Sequence, residues 1–242
     1  MSAFFAKMQQ SFINDFIVDD RWRYIVSGLR VTILVTILSL LIGLVLGIVV
    51  AMIRSTHDQT NPKWFKSSGN FLLKLADTIC RLYITVIRGV PVVVLLMIFY
   101  YIILVSANGV AVAIMTFGIN SGAYMAELIR SGINAVDSGQ MEAGRSLGMS
   151  KLQAMKVVVF PQAIRYILPA IGNELIALFK ETAVAGYVAV VDLTRAGNLI
   201  RNNTYDAFNP LMVVALIYLI IVVILTRGLW CVEKRLSKSD KR

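Results

Sequence analysis

Histidine occurs once and cysteine twice in the 242 residues, and each scarcity removes a class of chemistry. His57 has no second ligand near it in sequence, so a solvated loop histidine is expected and a metal centre is not. Cys80 and Cys231 flank apolar segments at a spacing that suits neither a metal ligand set nor a redox pair, and they read as buried or interfacial thiols. No Gly-x4-Gly-Lys-Ser/Thr loop occurs, so the chain has no phosphate cradle of that kind. Charged residues make up only 16% of the sequence, well below the usual share for a soluble domain. Residues 1–20 mix acids with phenylalanine and lack a basic start followed by a short apolar core, so no cleavable signal is expected.

What fills the chain instead is apolar. Hydrophobic residues account for 57% of it and the mean hydropathy is +0.73, which makes lipid the expected solvent. The apolar runs leave no room for a separate water-soluble domain, so one membrane domain is expected, with its core at about 28–230. A formal net charge of +10 would suit a nucleic-acid binder, but Lys- and Arg-rich cytoplasmic loops give a membrane protein the same excess. That second reading is adopted, with no nucleic-acid partner expected.

Residues 31–53, interrupted by Thr32, Thr36, Ser39, Gly43 and Gly47, supply the roughly 20 apolar residues that a bilayer core requires. Gly43 and Gly47 form a small-xxx-small pair suited to close helix contact, although glycine is also common on lipid-facing surfaces. A second span is read at 90–105. Before it, residues 71–88 place Leu72, Leu75, Ile79, Leu82 and Val86 at helical spacing among charges, as a helix beginning at the membrane surface does. Further spans are read at 110–128, 166–191 and 211–230. Pro91 and Pro169 are read as bends, with broken helices that build a transport site as the other reading. The fold class is an all-α membrane protein with about five transmembrane helices.

Orientation follows from Lys and Arg, which stay on the cytoplasmic side of short loops. Arg54, Lys63, Lys66 and Lys74 fall between spans one and two. Arg130, Arg145, Lys151, Lys156 and Arg165 fall between spans three and four, and Arg227, Lys234, Arg235, Lys238, Lys241 and Arg242 close the chain. Residues 106–109 carry no charge, and Asp192, Arg195, Arg201 and Asp206 balance. The N-terminus is therefore expected outside and the C-terminus in the cytoplasm, although Lys7, Arg21 and Arg23 are offset by Asp15, Asp19 and Asp20 and do not decide it.

The cytoplasmic connection 131–165 is too long for a tight turn and too amphipathic for a linker. Gly139 and Gly148 punctuate it, and residues 141–147 and 152–160 each repeat apolar positions at helical spacing, predicting two short surface helices. Periodicity leaves two uses open: a helix seated knob-like in a partner's groove, or one resting on lipid headgroups.

Within this loop the chain reads Glu142-Ala143-Gly144, three residues, Gly148, nine residues, then Val158-Val159-Phe160-Pro161. This resembles the cytoplasmic loop of the membrane subunits of bacterial binding-protein-dependent ABC importers: Glu-Ala-Ala, three residues, Gly, nine residues, Ile-x-Leu-Pro. The spacing is kept, with Gly144, Val158 and Phe160 as departures. Similarity to the polar amino acid branch extends to Arg88-Gly89-Val90-Pro91, with valine for the branch threonine, and to Asn120, Ala123-Tyr124, Glu127, Arg130 and Gly132-Ile133. It continues through Gly139-Gln140, Pro161-Gln162, Asn173 and Lys180-Glu181-Thr182-Ala183-Val184, with Ala183 replacing the branch serine. The resemblance implies a permease fold whose coupling loop, about 138–165, meets the motor through Glu142, Ala143, Gly144, Gly148 and Pro161. It also implies two membrane subunits, identical or homologous, a cytoplasmic ABC ATPase dimer that carries ATP and Mg, and an extracytoplasmic solute-binding protein. This subunit would sit in the bacterial cytoplasmic membrane, need no cofactor of its own and not be an enzyme.

Ionisable groups inside a span are costly and face a partner, a cavity or a substrate path. Glu174, Lys180 and Glu181 lie within the fourth segment. One reading is mutual pairing, of Lys180 with Glu181 and of Glu127 with Arg130 three residues on. The other is a path for a zwitterion, lined with carboxylate donors and ammonium acceptors by Asn120, Tyr124, Asn173, Lys180, Glu181 and Thr182, with Arg88 and Glu127 completing the candidate set. An ion-coupled secondary transporter working without an ATPase is the rival, but such folds usually repeat internally and no duplication is evident here. A non-transporting scaffold would leave the ordered motifs without a purpose.

Overall fold

A computed structural model describes residues 9–58 and 69–238. Lys7, Lys63, Lys66, Lys241 and Arg242, used above to orient the chain, lie outside the described residues. Among the described residues every regular element is helical, as lipid demands, because a backbone in hydrocarbon must satisfy its N–H and C=O groups internally. In chain order these are α1 (Trp22–Asp58), α2 (Gly69–Gly89), α3 (Val92–Ile98), α4 (Gly109–Asn134), α5 (Ser138–Ser146), α6 (Lys151–Ala154), α7 (Phe160–Glu181), α8 (Leu193–Thr204) and α9 (Phe208–Lys238). Among the described residues, four helical stretches are long and apolar enough to cross a bilayer, and the bent pair of α2 with α3, taken as one span, brings the number to five.

The chain forms two compact units. The first comprises Met1–Ser39, Val92–Phe117 and Ile176–Leu225. Its core gathers Phe16, Ile25, Leu193, Ala196, Ile200 and Val214. Buried hydroxyls join its helices: Thr32 Oγ1 accepts the Leu193 N–H at 3.0 Å, and Ser39 donates to the Ile114 carbonyl. Asp192 caps α8, accepting from the backbone of Thr194 and Arg195. Burial pushes the Asp192 carboxyl up from its ordinary value, and those two N–H groups pull it part of the way back.

The second unit comprises Leu40–Pro91, Gly118–Leu175 and Thr226–Arg242. Here α1 packs on α4 through small residues, which is how helices associate when lipid removes the hydrophobic drive between them. A Cβ added to Gly43 would stand 2.9 Å from that of Ser121, and Gly47 is pressed against Met125. The close helix contact expected of this glycine pair is what forms. Ala51, Ile129, Ala163 and Ile167 make the adjoining core.

Several sequence boundaries are corrected. The span read at 90–105 is a shorter helical stretch, 92–103, ending in a π-helical turn, Phe99–Ile103, and the break comes at its start: α2 stops at Gly89, Pro91 brings no N–H, and α3 departs at 107°. The second surface helix of the loop is not separate. From Lys151 the chain runs through α6 and a π-helical turn, Met155–Val159, into α7 without leaving helical geometry, so the fourth segment begins well before residue 166. Pro169 lies inside α7, and the helix continues through it. Residues 193–204, read as an outer loop, form helix α8. His57 is not a solvated loop residue but a half-buried one near the end of α1, with Nδ1 3.5 Å from Asp77 Oδ2.

Candidate functional site

The loop expected to couple to a motor, about 138–165, begins as a capped helical hairpin. Asp137 caps α5 by accepting the Gly139 N–H at 2.7 Å. At the other end Gly148 adopts φ +84°, which glycine tolerates and other residues resist. The Met149 N–H then reaches back to the Gly144 carbonyl and the Gly148 N–H to that of Arg145, closing the helix. Ser150 and Gln153 form a reciprocal capping box that starts α6. Gly144 is buried against Ala154, and a Cβ there would stand 3.1 Å from that of Ala154 and 3.6 Å from Val158 Cγ2. The absent methyl thus brings the two arms close together. Glu142 and Ala143 face outward, Leu147 is 81% exposed, and Pro161 is exposed at the start of α7.

The path candidates fall into two sets. In the second unit, the Arg88 guanidinium lies over the Tyr124 ring, 5.0 Å from its centroid. Asn120 is buried one residue before Ser121, whose hydroxyl donates to Glu174 at 2.9 Å. Asn173 is exposed. Glu127 is held by two guanidiniums, Arg54 and, at 3.4 Å, Arg130. In the first unit Lys180 is exposed, Glu181 is half-buried, and Thr182 is fully buried with its hydroxyl donated to the Phe179 carbonyl.

Sequence reasoning missed the partner that Arg54 shares between carboxylates. Asp77, 3% exposed, receives Arg81 at 2.7 Å and lies 3.7 Å from Arg54. Arg54 therefore bridges Asp77 on α2 to Glu127 on α4, and buried charges persist when paired in this way. An available signal was Asp77 with Arg81 four residues on, inside an amphipathic helix. The polar knot at the N-terminal segment was also missed. Asn209 Nδ2 lies 2.9 Å from Asp15 Oδ2 and 3.0 Å from Asp206 Oδ2, and the Ser11 hydroxyl donates to Asp206 at 2.6 Å. That hydroxyl, helped by the Phe208 N–H and opposed by burial, holds the Asp206 carboxyl below its ordinary value. Among the described residues, no group of three His, Cys, Asp or Glu side chains is placed to hold a metal.

Among the described residues the chain thus combines helices of membrane-crossing length with a capped helical hairpin on one of their connections. The model of the family described as binding-protein-dependent transport system inner membrane component matches residues 67–238, and the chain belongs to that family. It is similar to the putative glutamine transport system permease protein GlnP of Rickettsia typhi, at 36% identity over 175 residues, covering 71% of this chain and 79% of that protein. It is also similar to the arginine transport system permease protein ArtQ of Bacillus subtilis, at 39% identity over 166 residues, covering 67% and 76%. Among solved structures, a crystal structure of an amino acid ABC transporter with histidines superposes with a TM-score of 0.78 at 36% identity, covering 90% of this chain and 96% of that one. The inward-facing MetNI methionine ABC transporter, at 22% identity and a TM-score of 0.70, shares the fold. The chain is a multi-pass permease subunit of an ABC importer, and the ATPase is a separate polypeptide. This excludes the ion-coupled rival.

Proposed function

We propose that this subunit, in a bacterial cytoplasmic membrane with its N-terminus outside and its C-terminus inside, carries polar amino acids in an importer built from two permeases, identical or homologous. A cytoplasmic ABC ATPase dimer docks on the 138–165 hairpin, and an extracytoplasmic solute-binding protein delivers the cargo. The relatives named for glutamine and arginine transport support the cargo class. The whole chain acts as one transmembrane domain. The observation that carries the docking reading is the hairpin: capped at both of its turns, closely packed at Gly144, and presenting Glu142, Ala143 and Leu147 outward. Gly148 and Pro161, both exposed, complete the set through which this element meets the motor. ATP closes the motor, the hairpin moves with it, and the bundle changes the side to which it opens.

In the second unit Arg88 supplies a cation for the cargo carboxylate, and in the first unit Lys180 supplies one. Glu127 and Glu181 supply acceptors for the ammonium, and Asn120, Tyr124, Asn173 and Thr182 supply neutral hydrogen bonds. Substituting each in turn and following substrate-stimulated ATP hydrolysis tests the set, and unchanged stimulation throughout would remove it. Docking is tested by co-purifying the neighbouring ATPase with Glu142→Arg and Leu147→Glu variants, whose side chains point away from the hairpin's packing. Loss of the ATPase supports docking on this face, and full retention overturns it.

A further inference from the structure

We infer that Gln140 and Gln162 form a positioning pair that closes the open end of the coupling hairpin and makes it a rigid lever on α7. The inference rests on the docking reading of that hairpin.

The two arms run antiparallel. Four residues separate Gln140 from Gly144 on α5, placing both on one helical face. On the returning arm Ala154, Val158 and Gln162 repeat at the same interval. Gly144 meets Ala154 and Val158 near the turn, and Gln140 meets Gln162 at the far end. The Gln162 amide nitrogen has two hydrogens and two acceptors: the Gln140 side-chain oxygen and the Val158 carbonyl, each at 3.0 Å. With both donors used, its side chain is fixed to its own helix while it holds the other arm.

The position of the pair gives it leverage. Apolar packing at Gly144 alone leaves a pivot, about which α5 swings while α7 stays still. A second tie, about one helical turn away along α5, removes that freedom. Force applied at Glu142 or Leu147 then turns the start of α7, the helix that bears Asn173 and Lys180. Sequence spacing separates the two glutamines by 22 residues and gives no sign that they meet.

The test uses the full complex of permeases, ATPase and solute-binding protein in proteoliposomes, with glutamine and arginine as trial cargoes. The readouts are the amount of cargo moved per ATP hydrolysed and the amount of ATPase retained on purification. Gln140→Ala and Gln162→Ala should each lower cargo per ATP about fivefold, the size expected from one net hydrogen bond. ATPase retention should be unchanged. The double alanine variant should be no worse than either single one, and Gln140→Glu with Gln162→Lys should restore the ratio through an ion pair. A merely structural contact would reduce yield or stability and leave cargo per ATP intact. An unchanged ratio in both single variants, or losses that add in the double, overturns the lever. If Glu142→Arg and Leu147→Glu leave ATPase retention intact, the docking reading fails instead, whatever the glutamines do.

Discussion

Gly47 on α1 lies so close to Met125 on α4 that a methyl group has no room between the two backbones. In lipid this closeness is itself the source of association, since dispersion between touching surfaces replaces the hydrophobic drive. Gly47→Leu should therefore destabilise the purified protein by about 1–3 kcal/mol, read as a lower melting temperature in detergent. Gly228→Ala, where a Cβ meets nothing within 4 Å, serves as the control and should not lower it. Equal melting temperatures for Gly47→Leu and the parent protein would show that the contact does not hold these helices.

Asp77 answers two guanidiniums from a nearly dry position, so its removal strands Arg54 with one carboxylate in place of two. Asp77→Ala should cost about 3 kcal/mol. Arg81 has a side chain 52% exposed to solvent, and Arg81→Ala should cost under about 1 kcal/mol. Arg54→Ala combined with Asp77→Ala should be less destabilising than the sum of the two, because the second change removes the charge stranded by the first. Additive losses in thermal melts would mean that the two do not interact.

The membrane class and the approximate spans were legible because an apolar run of 31–53 has no other use. The helical character of the loop was legible from its apolar periodicity and its two glycines, but not that its second arm runs on into α7. What escaped was geometry set by partners. α8 is short and polar on one face, so charge balance made it look like a loop, although Leu193, Ala196 and Ile200 sink into the first unit's core. Asp77 read as one charge among several on α2, because burial against α1 has no signature in α2's own sequence. The 107° turn after Gly89 had its cause in view, Pro91, but not its angle. Of the path candidates, the nearness of Arg88 and Tyr124, 36 positions apart in the chain, depends on how α2 meets α4.

Gly148 tests whether the hairpin's turn matters to its work. At φ +84° with open space where a Cβ would go, substitution by alanine meets no clash and carries only a backbone penalty. That penalty is about 1 kcal/mol for a residue forced into the left-handed region, and Gly148→Asn should suffer less, since asparagine visits that region more readily. Both the melting temperature and ATP-dependent uptake should rank parent, asparagine, alanine. A variant set with no such order would separate the turn from coupling.

The knot at Asp206 gives a pH dependence with a definite sign. An acid whose folded pKa lies below its unfolded value stabilises the fold where both forms are ionised, and gives that stabilisation up as the folded form takes a proton. Asp206 is such a group, held down by the Ser11 hydroxyl and the Phe208 N–H. Its contribution is complete above the ordinary carboxylate value of about 3.9 and fades as pH falls below it. Asp192 runs the other way: its raised value means that the fold favours its protonated form, so stability from this group falls as pH rises from the ordinary value through the raised one. The two groups hold different parts of the first unit, and hydrogen exchange separates them. After correction for intrinsic rates, protection of residues 9–17, which Ser11 and Asp15 tie to Asp206 and Asn209, should weaken on acidification below about pH 4. In Asp206→Asn the same residues should already be less protected at neutral pH, with no further change on acidification from this position. Parent-like protection in that variant would show that the carboxylate does not hold the N-terminal segment in place.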